Sequence, residues 1–294
     1  SFQSKFPRQS FSLKEEQELR FSQRFKNFLC EEAKGADIVI RVEIAEKLPE
    51  PEIEKVIFIT YHPQDGEENW RLSANKKYYI YQSPLEGKQQ IAFVRKDFTG
   101  AKVFLLPKKK KGFVWDEADI IYDFFHIILI HYFAKNRRGI FVHALGIKDV
   151  DGRGLVFAGK SGSGKSTTAR IWYRHSKALV LNDDRVIIFK KRGKFFIYGS
   201  PWHGAFRDYL DSHLESACLK RIFFIYHSRR NTAKPLSYPE AFKSLYPALF
   251  PAFWDKACLE PIVSFCQEML LATEALHLGF VKDQKIITFV RKLK

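Results

Sequence analysis

The segment GLVFAGKSGSGKSTTAR (Gly154–Arg170) restricts what this chain can fold into more than any other part of the sequence. It satisfies the pattern G-x-x-x-x-G-K-S/T with Gly159, Gly164, Lys165 and Ser166, between an apolar strand-like run and a helix-like one. Glycines there let successive backbone N–H groups turn inward and keep side chains out of the way. Those donors and the N-terminus of the next helix make a cradle for polyphosphate. Gly159, Ser161, Gly162, Ser163, Gly164, Lys165, Ser166 and Thr167 are expected to line it. Lys165 would reach the β- and γ-phosphates of a bound nucleotide, and the Ser166 hydroxyl would bind Mg²⁺.

A metal at such a loop needs an acid to organise it. Asp183 and Asp184 follow the apolar run Ala178–Leu181 and Asn182, where the strand after the loop's helix ends. One is expected to organise Mg²⁺ and the other to act as general base on an attacking hydroxyl; the sequence does not say which. Neighbours on a regular strand face opposite sides, so both serve only if the strand stops there. Asn-Asp-Asp is also turn chemistry.

Around this centre the chain reads as two regions. Residues 1–112 are β-rich, with strand-like runs at 37–44, 55–60, 76–82, 91–95 and 102–106 separated by turn residues, after an indistinct helical stretch at Leu13–Cys30. Residues 113–294 mix strands and helices. Trp115–Asn136 reads as one long helix, with acids in its first turn and Lys135 near its end. Strands follow at 139–147 and 154–158, then the loop and its helix, a strand at 178–181, and a hairpin joined by KRGK. A core strand at 221–226 precedes helices at 238–249 and 252–273, the second broken or kinked at Pro261. A closing hairpin turns at Lys282-Asp283-Gln284. Strict βαβ alternation is missing, so an α/β (α+β) fold with a mixed sheet is expected.

Composition excludes little. With 46% hydrophobic and 28% charged residues the chain is ordinary for a packed protein, and 28 Phe imply a core rich in rings. No apolar run is long enough for a membrane span, and Ser1–Gln9 lacks the apolar core of a signal peptide, so a cytoplasmic protein is expected. Four scattered cysteines with no CxxC read as reduced, packed thiols. The net charge of +16 favours acidic ligands, but the run Lys108–Lys111 has no RNA-binding signature or zinc finger beside it. Charge by itself therefore establishes no nucleic-acid partner.

The succession of loop, helix and Asp pair resembles the HPr kinase/phosphorylase group and, more distantly, ATP-dependent phosphoenolpyruvate carboxykinases. Ser161-Gly162 with Gly164-Lys165-Ser166 matches the family's G-x-S-G-x-G-K-S/T loop, and Asp183-Asp184 matches its Asp pair. His143 lies where the kinases carry a histidine followed by glycine, although Ala144 follows here. About Gly139–Ser200 is covered. The resemblance implies Mg-ATP-dependent phosphorylation of a serine, an HPr kinase-like core, a histidine near the phosphates at His143, and a homo-oligomer. Lys160 and Thr167 stand where the family commonly has acids, and no phosphorylase signature is found, so HPr itself and phosphorolysis are not implied. SPWHG reads as a rigid turn in which Trp202 packs, and a loop there would line the acceptor side of such a cleft with His203, while Arg207 a few residues on would neutralise the transferring phosphate.

Transfer of the ATP γ-phosphate to a hydroxyl of a peptide, protein or small molecule is the leading expectation. A nucleotide sensor with little catalysis, and a nucleic-acid-associated ATPase, are the alternatives. No LSGGQ or NKxD motif occurs, which argues against an ABC ATPase and a Ras-like GTPase.

Overall fold

The computed structural model describes residues 19–20, 28, 36–64, 66–83, 89–106, 115–116, 124–204, 206 and 215–293. They fall into two compact units. One takes the described residues of 1–22, 29–132 and 253–256, the other those of 23–28, 133–252 and 257–294.

The first unit holds β1 (Leu19–Arg20), β2 (Val39–Ile44), β3 (Lys55–Tyr61), β4 (Glu68–Ala74), β5 (Tyr78–Ser83), β6 (Gln90–Arg95), β7 (Gly100–Leu105) and β8 (Trp115–Asp116). Strands β2 to β7 make one mixed sheet in the order β2-β7-β6-β5-β4-β3, with β2 parallel to β7 and the other neighbours antiparallel. Alternation sets its buried side: Ile40 and Val42 of β2 and Ala101, Val103 and Leu105 of β7 point inward while Arg41 and Lys102 point out. Helix α1 (His126–Lys135) begins in this unit, and Phe124 and His131 set rings against Tyr79, Tyr81 and Phe98.

Two helices expected here are shorter or different. Leu19–Arg20, inside the stretch read as helix, pair in parallel with Trp115–Asp116, the residues expected to open the long helix. The rest of Leu13–Cys30, Phe28 apart, lies outside the described residues, as do Lys108–Lys111 and 117–123. Helix α1 has no acid in its first turn, because its regular part starts ten residues after Asp116; Lys135 does close it. Strand β4 was hidden in a segment whose Asp, Gly and Asn suggested only a turn.

The second unit contains β9 (Gly139–Lys148), β10 (Arg153–Ala158), α2 (Lys165–His175), β11 (Leu179–Asn182), β12 (Arg185–Lys191), β13 (Lys194–Tyr198), β14 (Ser216–His227), β15 (Thr232–Pro235), α3 (Tyr238–Leu245), α4 (Leu259–Ala272), β16 (Glu274–Phe280) and α5 (Lys285–Lys292). Its eight strands form one mixed sheet. Strand β9 pairs with three others. One edge pairs with β10, while the other pairs first with β12 and then with β11. Strand β14 bonds to β13 near its start and to β10 over 218–224, so β10, β9, β12, β13 and β14 form a closed circuit of pairings. Beyond it, β16 runs parallel to β14 and β15 antiparallel to β16.

One side of this sheet carries Leu145, Ile147, Leu155, Phe157, Phe223 and Ile225, with Phe157 stacked on Phe223 at 5.0 Å. Helix α2 covers it with Ala169 and Trp172, and α5 with Ile286, Ile287 and Val290. Burying each such large apolar side chain is worth about 1.5–3 kcal/mol.

Helix α5 corrects the closing hairpin. Lys285–Lys292 is rich in β-branched residues, which suggested a strand, but its buried positions recur at helical and not alternate spacing. Arg291 then docks on Asp149 with Nη2 2.6 Å from Oδ1. The second helical expectation is also trimmed. Pro261 lies in the first turn of α4, where its missing N–H would have no intrahelical partner, so it opens the helix and does not kink it. Tyr238–Leu249 divides into α3 and a short 3₁₀ turn at Tyr246–Ala248. Ser237 and Glu240 form the capping box that starts α3.

Arg192 and Gly193, both at positive φ, make the tight turn between β12 and β13 that KRGK predicts. No cysteine among the described residues is in a disulfide, and burial pushes the Cys266 thiol up to about 12. Cys218 is exposed, and Cys30 lies outside the described residues. No helix among the described residues is long and apolar enough to cross a membrane.

Candidate functional site

Strands β10 and β11 both run antiparallel to β9 and flank it, so their C-terminal ends emerge on the same side. Ala158, the last residue of β10, lies opposite Ala144, and Asn182, the last of β11, lies opposite Gly146. His143 is the next residue of β9 toward that end and faces Arg185. Topology thus gathers the glycine loop, the Asp pair and His143 around the middle of one strand, although they span more than forty positions in the sequence.

The loop from Gly159 to Gly164 connects β10 to α2. Gly162 and Gly164 have φ of 78° and 104°, conformations open to glycine and strained for other residues. Gly164 is also crowded: a Cβ there would lie 2.5 Å from Cζ of Phe280 and 2.9 Å from Cε1 of His227. A Cβ on Gly159 would meet the Ser163 Oγ at 2.4 Å and the Ile225 carbonyl at 3.0 Å. Lys165, 7% exposed, donates from Nζ to the Gly159 carbonyl at 2.9 Å. Burial lowers its pKa, and the negative charge of Asp184 opposes that shift. Ser166 and Thr167, in the first turn of α2, are half-buried; Ser161 and Gly162 are exposed.

Asp183 and Asp184 form a two-residue bend between β11 and β12, both of which bond to the same edge of β9. The strand therefore ends at the acids, and the two carboxylates have different partners. Asp183 is buried and accepts the backbone N–H of Gly204 at 2.8 Å on Oδ1 and of Phe206 at 3.1 Å on Oδ2. Gly204 has no room for a side chain, since a Cβ would lie 2.6 Å from the Asp183 carboxylate. Asp184 sits with Oδ1 3.1 Å from Nε2 of His143 and Oδ2 3.5 Å from Nε of Arg185. Burial alone would raise its pKa. The His143 hydrogen bond and the ring's charge when it is protonated, then Arg185 and Lys165, outweigh burial and hold the carboxyl below its ordinary value.

Asn182 builds the bend, in keeping with the turn chemistry of Asn-Asp-Asp. Its Oδ1 accepts the N–H groups of Asp184 and Arg185 at 2.8 and 2.7 Å. Its Nδ2 donates to the carbonyls of Ser200 and Trp202 at 2.9 and 3.1 Å. An amide that must donate on one side and accept on the other is a job neither Asp nor Leu can do there. Its adjacency to the acids at a strand end was the available signal.

His203, 9% exposed, lies between Trp202, whose ring packs on Phe141 at 5.8 Å, and the Asp183-bound Gly204. Arg207 lies outside the described residues. Arg185 carries its guanidinium 5.2 Å from the centre of the Phe250 ring, and the His143 ring lies 6.3 Å from the same ring. Two further loop contacts, His227 and Phe280, come from strand ends far along the chain. Only strand pairing brings them here.

The donor set fits a magnesium-bound polyphosphate. It offers a glycine cradle in which Gly159 and Gly164 leave no space for side chains, a lysine ammonium, the Ser166 hydroxyl and an ionised Asp184, all in one unit. Ser163 Oγ, at the loop, is buried without a hydrogen-bond partner.

No family model matches the chain, and no curated protein matches it. Among solved structures it is similar to the HPr(Ser) kinase/phosphatase from Coxiella burnetii, with 10% identity and a TM-score of 0.31 over 51% of this chain and 93% of that one. That likeness is a distant structural relationship.

Proposed function

We propose that the second unit is an ATP- and Mg²⁺-dependent phosphotransferase that moves the γ-phosphate to a hydroxyl. The observation that carries this reading is that the glycine loop with Lys165 and the strand end with Asp184, whose Oδ1 lies 3.1 Å from Nε2 of His143, emerge on the same side of the sheet. Gly159–Thr167 would hold the polyphosphate through backbone N–H groups, and Lys165 would leave its resting bond to Gly159 for the β- and γ-phosphates. Ser166 and Asp184 would hold Mg²⁺, which when bound neutralises charge on the phosphate oxygens.

Proton transfer then falls to the His143–Asp184 pair. With its proton on Nε2, toward Asp184, a neutral His143 ring would keep its basic lone pair on Nδ1. The acceptor oxygen bonds to the γ-phosphorus, the bond to the ADP oxygen breaks, and the hydroxyl proton passes to Nδ1. Asp183 would take a positioning part, since it holds the backbone of Gly204 and Phe206 beside His203, the residue we assign to the acceptor side. A serine side chain is the acceptor we favour, from the motif resemblance.

Lys165→Ala tests the reading. It should abolish radiolabel transfer from ATP to candidate acceptors while leaving the melting temperature of the nucleotide-free protein near that of the wild type. Transfer at the wild-type rate would remove the proposed role of the loop. Nucleotide binding without transfer to any hydroxyl would reassign the site to sensing.

A further inference from the structure

His227 has no part in the chemistry above, yet it touches the glycine loop at two points. It is the last residue of β14, which runs parallel to β10 with Ala158 opposite Phe224. A parallel neighbour ends on the same side of the sheet as the strand it flanks. Three residues past Phe224, the chain has therefore come level with the loop that leaves β10. There the His227 Nε2 lies 3.1 Å from the Gly162 carbonyl oxygen. A carbonyl only accepts, so Nε2 must carry the proton. The other contact is at Gly164, where the His227 ring and Phe280, its partner across β14–β16, fill the space a side chain would need. The two rings lie 5.3 Å apart.

Together these contacts fix both positive-φ glycines of the loop. The Gly162 peptide is held by its carbonyl, and its neighbour Ser163 donates its N–H back to the Lys160 carbonyl at 3.0 Å, closing the turn. Gly164, which caps α2, is held by van der Waals contact with the rings.

We propose that His227 is a positioning residue for the nucleotide: through its Nε2–H it fixes the loop in the shape that receives polyphosphate before the ligand arrives. This rests on the nucleotide reading of the site. A loop already in its bound shape loses less conformational freedom on binding, so affinity is where the effect appears. Losing bonds to the loop that are made equally before and after phosphorus is attacked would raise KM and leave kcat unchanged.

The experiment compares His227→Leu and His227→Gln with the wild type by calorimetric titration of Mg-ATP and by steady-state transfer. Leu keeps bulk against Phe280 but cannot donate; the Gln amide can reach the same carbonyl. The Leu variant should bind Mg-ATP about five- to tenfold more weakly, the worth of one hydrogen bond, with kcat unchanged and Gln restoring affinity to within about twofold. Nitrogen NMR of the nucleotide-free wild type should show His227 as the Nε2–H tautomer. Wild-type affinity in the Leu variant, loss of affinity in both variants alike, or an Nδ1–H tautomer would overturn the proposal. If the wild type itself takes no Mg-ATP, the reading of the whole site fails and this one with it; if it binds and the Leu variant matches it, only the role of His227 fails.

Discussion

Each unit contains a histidine bonded to an aspartate, and the two pairs are alike in length and opposite in setting. In the first unit, His131 is fully buried, with Nε2 2.9 Å from Asp255 and Nδ1 2.7 Å from the Tyr81 hydroxyl. Rings of Tyr79, Phe98 and Trp254 surround it, the nearest at 4.6 Å. In the second, His143 lies 3.1 Å from Asp184 with 39% of its side chain exposed, at the end of the glycine loop. Both ring nitrogens of His131 are committed to side chains inside the unit; the His143 ring opens to solvent. A histidine–carboxylate contact therefore carries no function by itself. Burial and the neighbours decide whether it holds a fold or serves chemistry.

The comparison can be broken from either side. The largest expected effect is on stability: His131→Ala should cost about 3–5 kcal/mol, because Asp255 and Tyr81 lose the ring they bond and a cavity replaces it. Urea unfolding measures it, and a loss below about 1 kcal/mol would show that the buried pair is not what holds this region.

His143→Ala should do the reverse. Its stability should stay within about 1 kcal/mol of the wild type, as for an exposed pair, while transfer falls by about a hundredfold or more. Equal transfer rates would leave Asp184 without a proton-accepting partner.

Asp183→Ala sharpens the division of labour between the two acids. Two buried N–H groups lose their acceptor, so a loss of about 2–3 kcal/mol is expected, with nucleotide affinity little changed. Abolished nucleotide binding in a folded Asp183→Ala protein would put this carboxylate at the phosphates instead.

The smallest effect concerns pH. Because Asp184 is depressed in the folded state, its ionised form contributes stability that is fully present above the ordinary value of 3.8 and is lost as pH falls through the folded value. Asp184→Asn should flatten the dependence of melting temperature on pH in that acid window. An unchanged slope would mean that the His143 and Arg185 contacts do not hold the charge in solution.

The strands on either side of the glycine loop, the helix after it and the strand end before Asp183 were legible because each is a local pattern: apolar runs, glycines at fixed spacing, acids after the run. Elements whose neighbours override their own preference were not. Ile286, Ile287 and Val290 look like a strand until a sheet face needs a helical stripe to cover it. Leu19–Arg20 and Trp115–Asp116 become strands only through each other. In the site, the long-range partners of Asn182 and the loop contact of His227 were hidden for the same reason, since they lie about 20 and 65 positions away.

The sequence by itself determined the loop. Gly159, Gly162 and Gly164 with Lys165 and Ser166 admit one kind of strand-to-helix turn, because positive φ and close approach are properties of the residues themselves. Tertiary structure alone decided which acid faces that loop. Asp183 and Asp184 are chemically identical neighbours, and they part only because the backbone of Gly204 and Phe206 takes one carboxylate while His143, across the sheet on β9, takes the other.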